Sequence, residues 1–91
     1  MRYITEEMLE KFSEKLVDDE KSPATVKKYV RDAEDFCMRM GRKGVDKYAV
    51  LEYKEYLIER YAPASVNSKL SSLNSFFEFN EWYELRVKTL K

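Results

Sequence analysis

The sequence has no histidine, one cysteine, two glycines and two prolines among 91 residues, and its 17 basic side chains are balanced by 17 acidic ones. Without histidine the commonest general base and the commonest metal ligand are missing, and Cys37 alone completes neither a zinc motif nor an intrachain disulfide. No Gly-rich phosphate loop and no Gly-x-Ser-x-Gly elbow occurs. These absences argue against an enzyme, and they leave no cofactor, metal or small-molecule substrate to expect. No segment approaches the ~20 apolar residues of a membrane span. Met1-Arg2 opens onto an acidic stretch without the apolar core of a signal peptide, so the expectation is a soluble, intracellular protein with no membrane partner. A net charge of zero, taken alone, speaks against an electrostatic nucleic-acid binder.

What is present points to a folded globule. Hydrophobic residues make up 44% and aromatics 14%, with seven Tyr and five Phe, enough to build one core in one domain. The glycines and prolines fall at element boundaries, which predicts an all-α chain of four helices joined by short turns. Thr5 is the expected cap of the first helix, with Glu6 and Glu7 in its first turn and Met8, Leu9, Phe12 and Leu16 as its buried stripe. Asp18-Asp19-Glu20-Lys21 ends it. Ser22 caps a second helix running to Met40, with Gly41 as its stop and a basic, mobile loop Gly41-Arg42-Lys43-Gly44 beyond. Asp46 caps the third, whose apolar residues Val50, Leu51, Leu57 and Ile58 lead to Tyr61. Tyr48, Tyr53, Tyr56 and Tyr61 resemble a base-stacking set, but their mixed spacing favours core or boundary positions with wet hydroxyls.

The fourth helix, within 62–82, organises the rest. Pro63 suits the first helical position, and Val66, Leu70, Leu73 and Phe77 recur at steps of four, three and four, forming a core face. Behind them lie Asn67, Ser68, Ser71, Ser72 and Ser75, with Lys69 at the flank. All but the lysine are short, so another molecule can approach closely. The second helix repeats the design: Ser22-Pro23-Ala24-Thr25-Val26 matches Ala62-Pro63-Ala64-Ser65-Val66, and a seam of Val26, Val30, Ala33 and Cys37 follows, widened by Tyr29 and Phe36. Lys27, Lys28 and Arg31 occupy the positions of Asn67, Ser68 and Ser71. Two independently Pro-started helices account for the match as readily as an internal repeat does. Charge is sorted along the chain, residues 1–20 carrying a net of −4 and residues 21–31 a net of +4. A solvated charged face and a binding face both fit that basic run.

After Trp82 the residues Leu85 and Val87 alternate with Arg86 and Lys88, compatible with an extended segment or with a frayed helix end. The apolar, basic ending predicts a four-helix domain over 1–84 and, over 85–91, the start of a linker to an absent domain.

This arrangement resembles the N-terminal core-binding, or SAM-like, domain of tyrosine recombinases and phage-type integrases. The resemblance is carried by Ser22-Pro23-Ala24-Thr25-Val26-Lys27-Lys28-Tyr29 followed by Asp32 and Phe36. It is carried equally by Ala64-Ser65-Val66-Asn67-Ser68-Lys69-Leu70-Ser71-Ser72-Leu73-Asn74-Ser75-Phe76-Phe77, and it covers 4–90. It implies a compact four-helix domain that lies on one side of duplex DNA while a C-terminal catalytic domain closes on the other. Its second and fourth helices would face the major groove and flanking phosphates. The implied DNA-binding residues are Thr25, Lys27, Lys28 and Arg31 on the second helix and Ser65, Asn67, Ser68, Lys69 and Ser72 on the fourth. Where the family pattern often has arginines this chain has Ser68-Lys69 and Asn74, so the resemblance implies phosphate contact more than base readout. The family's catalytic arginines and nucleophilic tyrosine belong to the other domain. The fragment is therefore expected to bind without cutting, inside a prokaryotic or phage-like, nucleoid-associated recombinase whose other protomers join it in a synaptic complex. A helical protein–protein interaction module is the alternative.

Overall fold

Helix boundaries follow the capping chemistry. A computed structural model describes residues 2–40 and 43–91. Helix α1, Glu6–Asp18, starts where the Thr5 hydroxyl accepts a hydrogen bond from the Met8 N–H at 3.2 Å. Helix α2, Pro23–Met40, starts where the Ser22 hydroxyl accepts from the Thr25 N–H at 3.2 Å. Its expected stop, Gly41, and the neighbouring Arg42 lie outside the described residues. Helix α3, Lys47–Arg60, is capped by the Asp46 carboxylate, which accepts from the Ala49 N–H at 2.9 Å. Helix α4, Pro63–Phe79, has Pro63 at its start and no side-chain cap, since Ala62 has nothing to offer.

Both α1 and α4 close with the same two-bond lock. Lys21 N–H donates to the Leu16 carbonyl and Glu20 N–H to that of Val17; Trp82 N–H donates to Phe77 and Glu81 N–H to Glu78. The lock needs a left-handed residue at its fifth position, and this chain places Glu20 (φ 61°) and Glu81 (φ 60°) there instead of glycine.

Among the described residues the fold is all-α, with no strand. An isolated antiparallel bridge between Arg2 and Val45 ties the N-terminal segment to the entry of α3. Helix α4 lies at the centre, packed against α2 and α3, while α1 packs against α2. Its predicted seam of Val66, Leu70, Leu73 and Phe77 is fully buried, and Phe76 joins it. Phe76 meets Phe12 of α1 edge to face at 5.2 Å, and Phe36 of α2 meets Phe77 at 5.8 Å and Tyr53 of α3 at 5.0 Å. No helix among the described residues is long and apolar enough to cross a membrane.

Two faces sit differently from expectation. On α2 the core line runs through Ala33 and Phe36, leaving Val26, Val30 and Cys37 only half-buried, because the Phe36 ring seeks Phe77 and Tyr53. On α3 the buried residues are Val50, Tyr53 and Leu57, at steps of three and four; Leu51 and Ile58 fall off that line and are 44% and 38% exposed. The tyrosines divide: Tyr53 is core, Tyr56 half-buried, Tyr48 and Tyr61 exposed.

The largest difference concerns the tail. After a 3-10 turn at Tyr83–Leu85 the chain leaves in extended backbone at Arg86 and is irregular over 87–91, and Leu85 and Val87 are core residues. The start of the expected linker is thus packed on the helices at Leu85 and Val87. Each of two α4 asparagines grips one tail residue by both backbone groups. Asn74 donates to the Val87 carbonyl (2.8 Å) and accepts from its N–H (3.0 Å); Asn67 does the same for Leu90 (2.9 and 2.6 Å). The spacing explains the fit: seven helical residues rise ~10.5 Å, and three extended residues span ~10 Å. From α3, the Lys47 and Lys54 ammoniums donate to the carbonyls of Arg86 and Lys88.

Candidate nucleic-acid interface

The two Pro-started helices run side by side, and between their N-terminal halves lies a shallow groove of about 160 Å³. Its lining contains Lys28 and Arg31 from α2 and Ser65, Ser68 and Lys69 from α4, five of the nine residues predicted to face DNA, with Asp32 at the floor. Asp32 is buried, and its carboxylate organises the site. The Lys28 ammonium lies 2.6 Å from one oxygen and the Lys69 ammonium 3.7 Å from the other, while the Ser72 hydroxyl donates to Asp32 at 2.7 Å.

This arrangement revises several expected roles. Ser72 is fully buried, so it cannot touch DNA; its short side chain is what allows α4 to close over Asp32. Lys28 has three donors and three protein acceptors, the Asp32 carboxylate, the Ser72 hydroxyl (3.2 Å) and the Ser68 carbonyl (3.3 Å), and so acts as a strut between helices. Asn67 is committed to Leu90 on the opposite flank of α4. The Thr25 hydroxyl accepts from the Ser22 hydroxyl at the start of α2, at 2.9 Å. The polar face of α4 is thus three surfaces: Ser72 turned toward α2, Asn67 and Asn74 toward the tail, and a narrow strip between them that includes exposed Ser71.

Arg31 and Lys27 are exposed, and among the described residues neither has an ion-pair partner; Lys27 stands beside the groove, outside its lining. Lys69 is held over the Tyr61 ring at 4.9 Å, which keeps its ammonium at the groove edge. Ser65, in the first turn of α4, lines the same mouth, and that turn has no side-chain cap, so its backbone N–H groups are not taken by a capping side chain. The result is a mouth of cations and donors with one neutralising carboxylate beneath, chemistry that suits a phosphate oxygen. Burial pushes the Cys37 thiol above its usual range, Glu34 adding to the effect, so the lone cysteine is a poor nucleophile. Among the described residues no group of acidic or cysteine side chains is placed to hold a metal ion.

Sequence reasoning overlooked Asp32 and Asn74 as organising residues. The signals were present: Lys28 and Asp32 stand at i, i+4 with Asp32 on the apolar side of α2, and Asn67 and Asn74 repeat after two helical turns.

A family model described as phage integrase, N-terminal SAM-like domain, matches residues 9–84. No curated protein matches the chain, and no solved structure does.

Proposed function

The chain belongs to the family of phage integrase N-terminal SAM-like domains, and from that membership we propose that it positions duplex DNA for strand exchange by the catalytic domain of a tyrosine site-specific recombinase. The observation that carries this reading is the convergence of Arg31, Ser65, Ser68 and Lys69 from two helix starts on one groove. Arg31 and Lys69 supply charge, Lys27 adds to it from the flank, and the Ser65 and Ser68 hydroxyls and the α4 N-terminus donate hydrogen bonds to phosphate oxygens. Lys28 holds the groove open from beneath. Strand cleavage and the assembly of protomers around DNA belong to the longer recombinase.

Zero net charge makes the isolated domain a weak binder, in the range of roughly 10⁻⁴ to 10⁻⁶ M typical of non-specific contacts. NMR titration of the labelled chain with a generic duplex at low salt tests the reading. Shifts gathered at 25–31 and 65–72 that reverse with added salt support it, and Lys27→Ala/Arg31→Ala should diminish them without lowering the melting temperature. Shifts confined to acidic α1, or none, sink it.

A second reading, a protein-interaction module, draws on Tyr48, Leu51 and Ile58, which stand exposed along one face of α3. Apolar docking there would be insensitive to salt.

A further inference from the structure

The groove between α2 and α4 offers few uncommitted cations, because Asp32 engages two of its lysines. A second cationic feature begins where the groove ends. Lys69 lines both the groove and a neighbouring crevice of about 310 Å³ between α2, α3 and α4, whose walls include Arg39, Tyr53, Tyr56, Tyr61 and Asp35. Over the Tyr56 ring stand two guanidiniums, Arg39 at 3.8 Å from the centroid and Arg60 at 3.9 Å. Tyr56 thus anchors both guanidiniums, and its ring lies near parallel to that of Tyr53 with centroids 5.7 Å apart.

Holding two like charges within about 8 Å of each other is costly unless something nearby is negative. Two carboxylates offset them in part: Glu59 is 3.7 Å from Arg60 but largely exposed, and Asp35 lines the crevice wall. Stacking restrains both guanidiniums; one Arg60 N–H donates to the Tyr56 carbonyl at 3.4 Å, and each group keeps further donors of the fork that phosphate oxygens accept in pairs. Arg31 and Arg39 are eight residues apart on α2, about 12 Å along its axis, close to the width of the B-DNA major groove.

We infer that the Arg39–Tyr56–Arg60 clasp is a second phosphodiester site, taking the DNA backbone across the major groove from the strand held at Arg31. The inference rests on the DNA-positioning reading and adds to it two arginines that the sequence comparison did not single out. Tyr56 serves as the spacer that preorganises both.

Fluorescence anisotropy of a labelled 20-base-pair duplex over a series of salt concentrations tests it, using the whole chain and its Arg39→Gln, Arg60→Gln and double variants. Each arginine that contacts a phosphate should reduce the slope of log K against log salt by about 0.9, and the double variant by about 1.8. Because glutamine stacks less well than arginine, a second readout avoids mutation: the arginine Nε–H resonances of Arg39 and Arg60 in the unaltered chain should shift on adding duplex and return with salt. A wild-type chain that binds with a slope unchanged in the double variant, its Nε–H signals unmoved, overturns the clasp and leaves the groove intact. A wild-type chain that binds no duplex overturns both.

Discussion

The Asp32 carboxylate and the Ser72 hydroxyl meet at 2.7 Å between α2 and α4, both buried, with the Lys28 ammonium closing the triangle. A buried charge is tolerable only while its partners remain. Asp32→Ala removes the charged acceptor that Lys28 and Ser72 share and should cost roughly 3 kcal/mol, and Lys28→Ala, which leaves the carboxylate with the Ser72 hydroxyl and the more distant Lys69, a similar amount. At roughly 4–8 °C per kcal/mol for a domain of this size, thermal melting resolves the loss easily. A variant pair that melts with the wild type would show that the triangle contributes no stability.

The tail gives a second expectation. Asn67→Ala and Asn74→Ala each remove two hydrogen bonds to half-buried backbone, worth about 1 kcal/mol apiece. Amide exchange locates the effect: the Leu90 N–H should lose protection in the first variant and the Val87 N–H in the second. Equal protection in both would mean that apolar packing of Leu85 and Val87 alone retains the tail.

Glu20 and Glu81 pay for their left-handed backbone, and the helix locks keep them there. Replacing either with glycine removes a strain of about 1 kcal/mol, partly offset by the greater freedom of glycine in the unfolded chain. Denaturant unfolding should show a small gain for each, additive in the double variant because the two sites close different helices. A loss of stability would imply that the glutamate side chains contribute more than their backbone costs.

Tyr53 sets the alkaline behaviour. Burial pushes its phenol well above the ordinary value near 10, with Asp35 and Asp32 adding repulsion to the ionised form. In the unfolded chain the phenol ionises near pH 10, while in the folded chain it keeps its proton, so the folded state binds more protons there. The contribution of this group is complete below pH 10 and is lost as the pH climbs beyond it. Stability should therefore fall above pH 10, and Tyr53→Phe should flatten that decline. An ultraviolet titration in which every tyrosine ionises together near pH 10 in the folded protein would refute the assignment.

The sequence made the helices legible and the site only in part. Thr5, Ser22, Asp46 and Pro63 are local signals that act on the backbone beside them, so four helix starts could be read directly. The seam at Val66, Leu70, Leu73 and Phe77 was readable because one helix lies at the centre and buries a single side. Leu51 and Ile58 could not be told from the buried Val50 and Leu57 for the opposite reason: α3 packs through a narrow line, and which line depends on where Phe36 sits in another helix. Ser72 and Asn67 looked like neighbouring members of one polar face. Their fates diverged because α2 covers one flank of α4 and the tail covers the other, and the Asn67–Asn74 repeat marks a shared flank of α4 without saying which segment covers it.

The paired asparagine grip has a mechanical consequence. Leu90 is nearer the end of the chain than Val87, and its anchor, Asn67, sits in the second turn of α4 between Ser65 and Lys69. A pull on Lys91 therefore loads the helix first at the turn that borders the groove, and the Asn74 grip carries load only after Asn67 has let go. The tail is a tether whose tension arrives at one rim of the groove, where a small tilt of α4 would move Ser65, Ser68 and Lys69 together relative to Arg31.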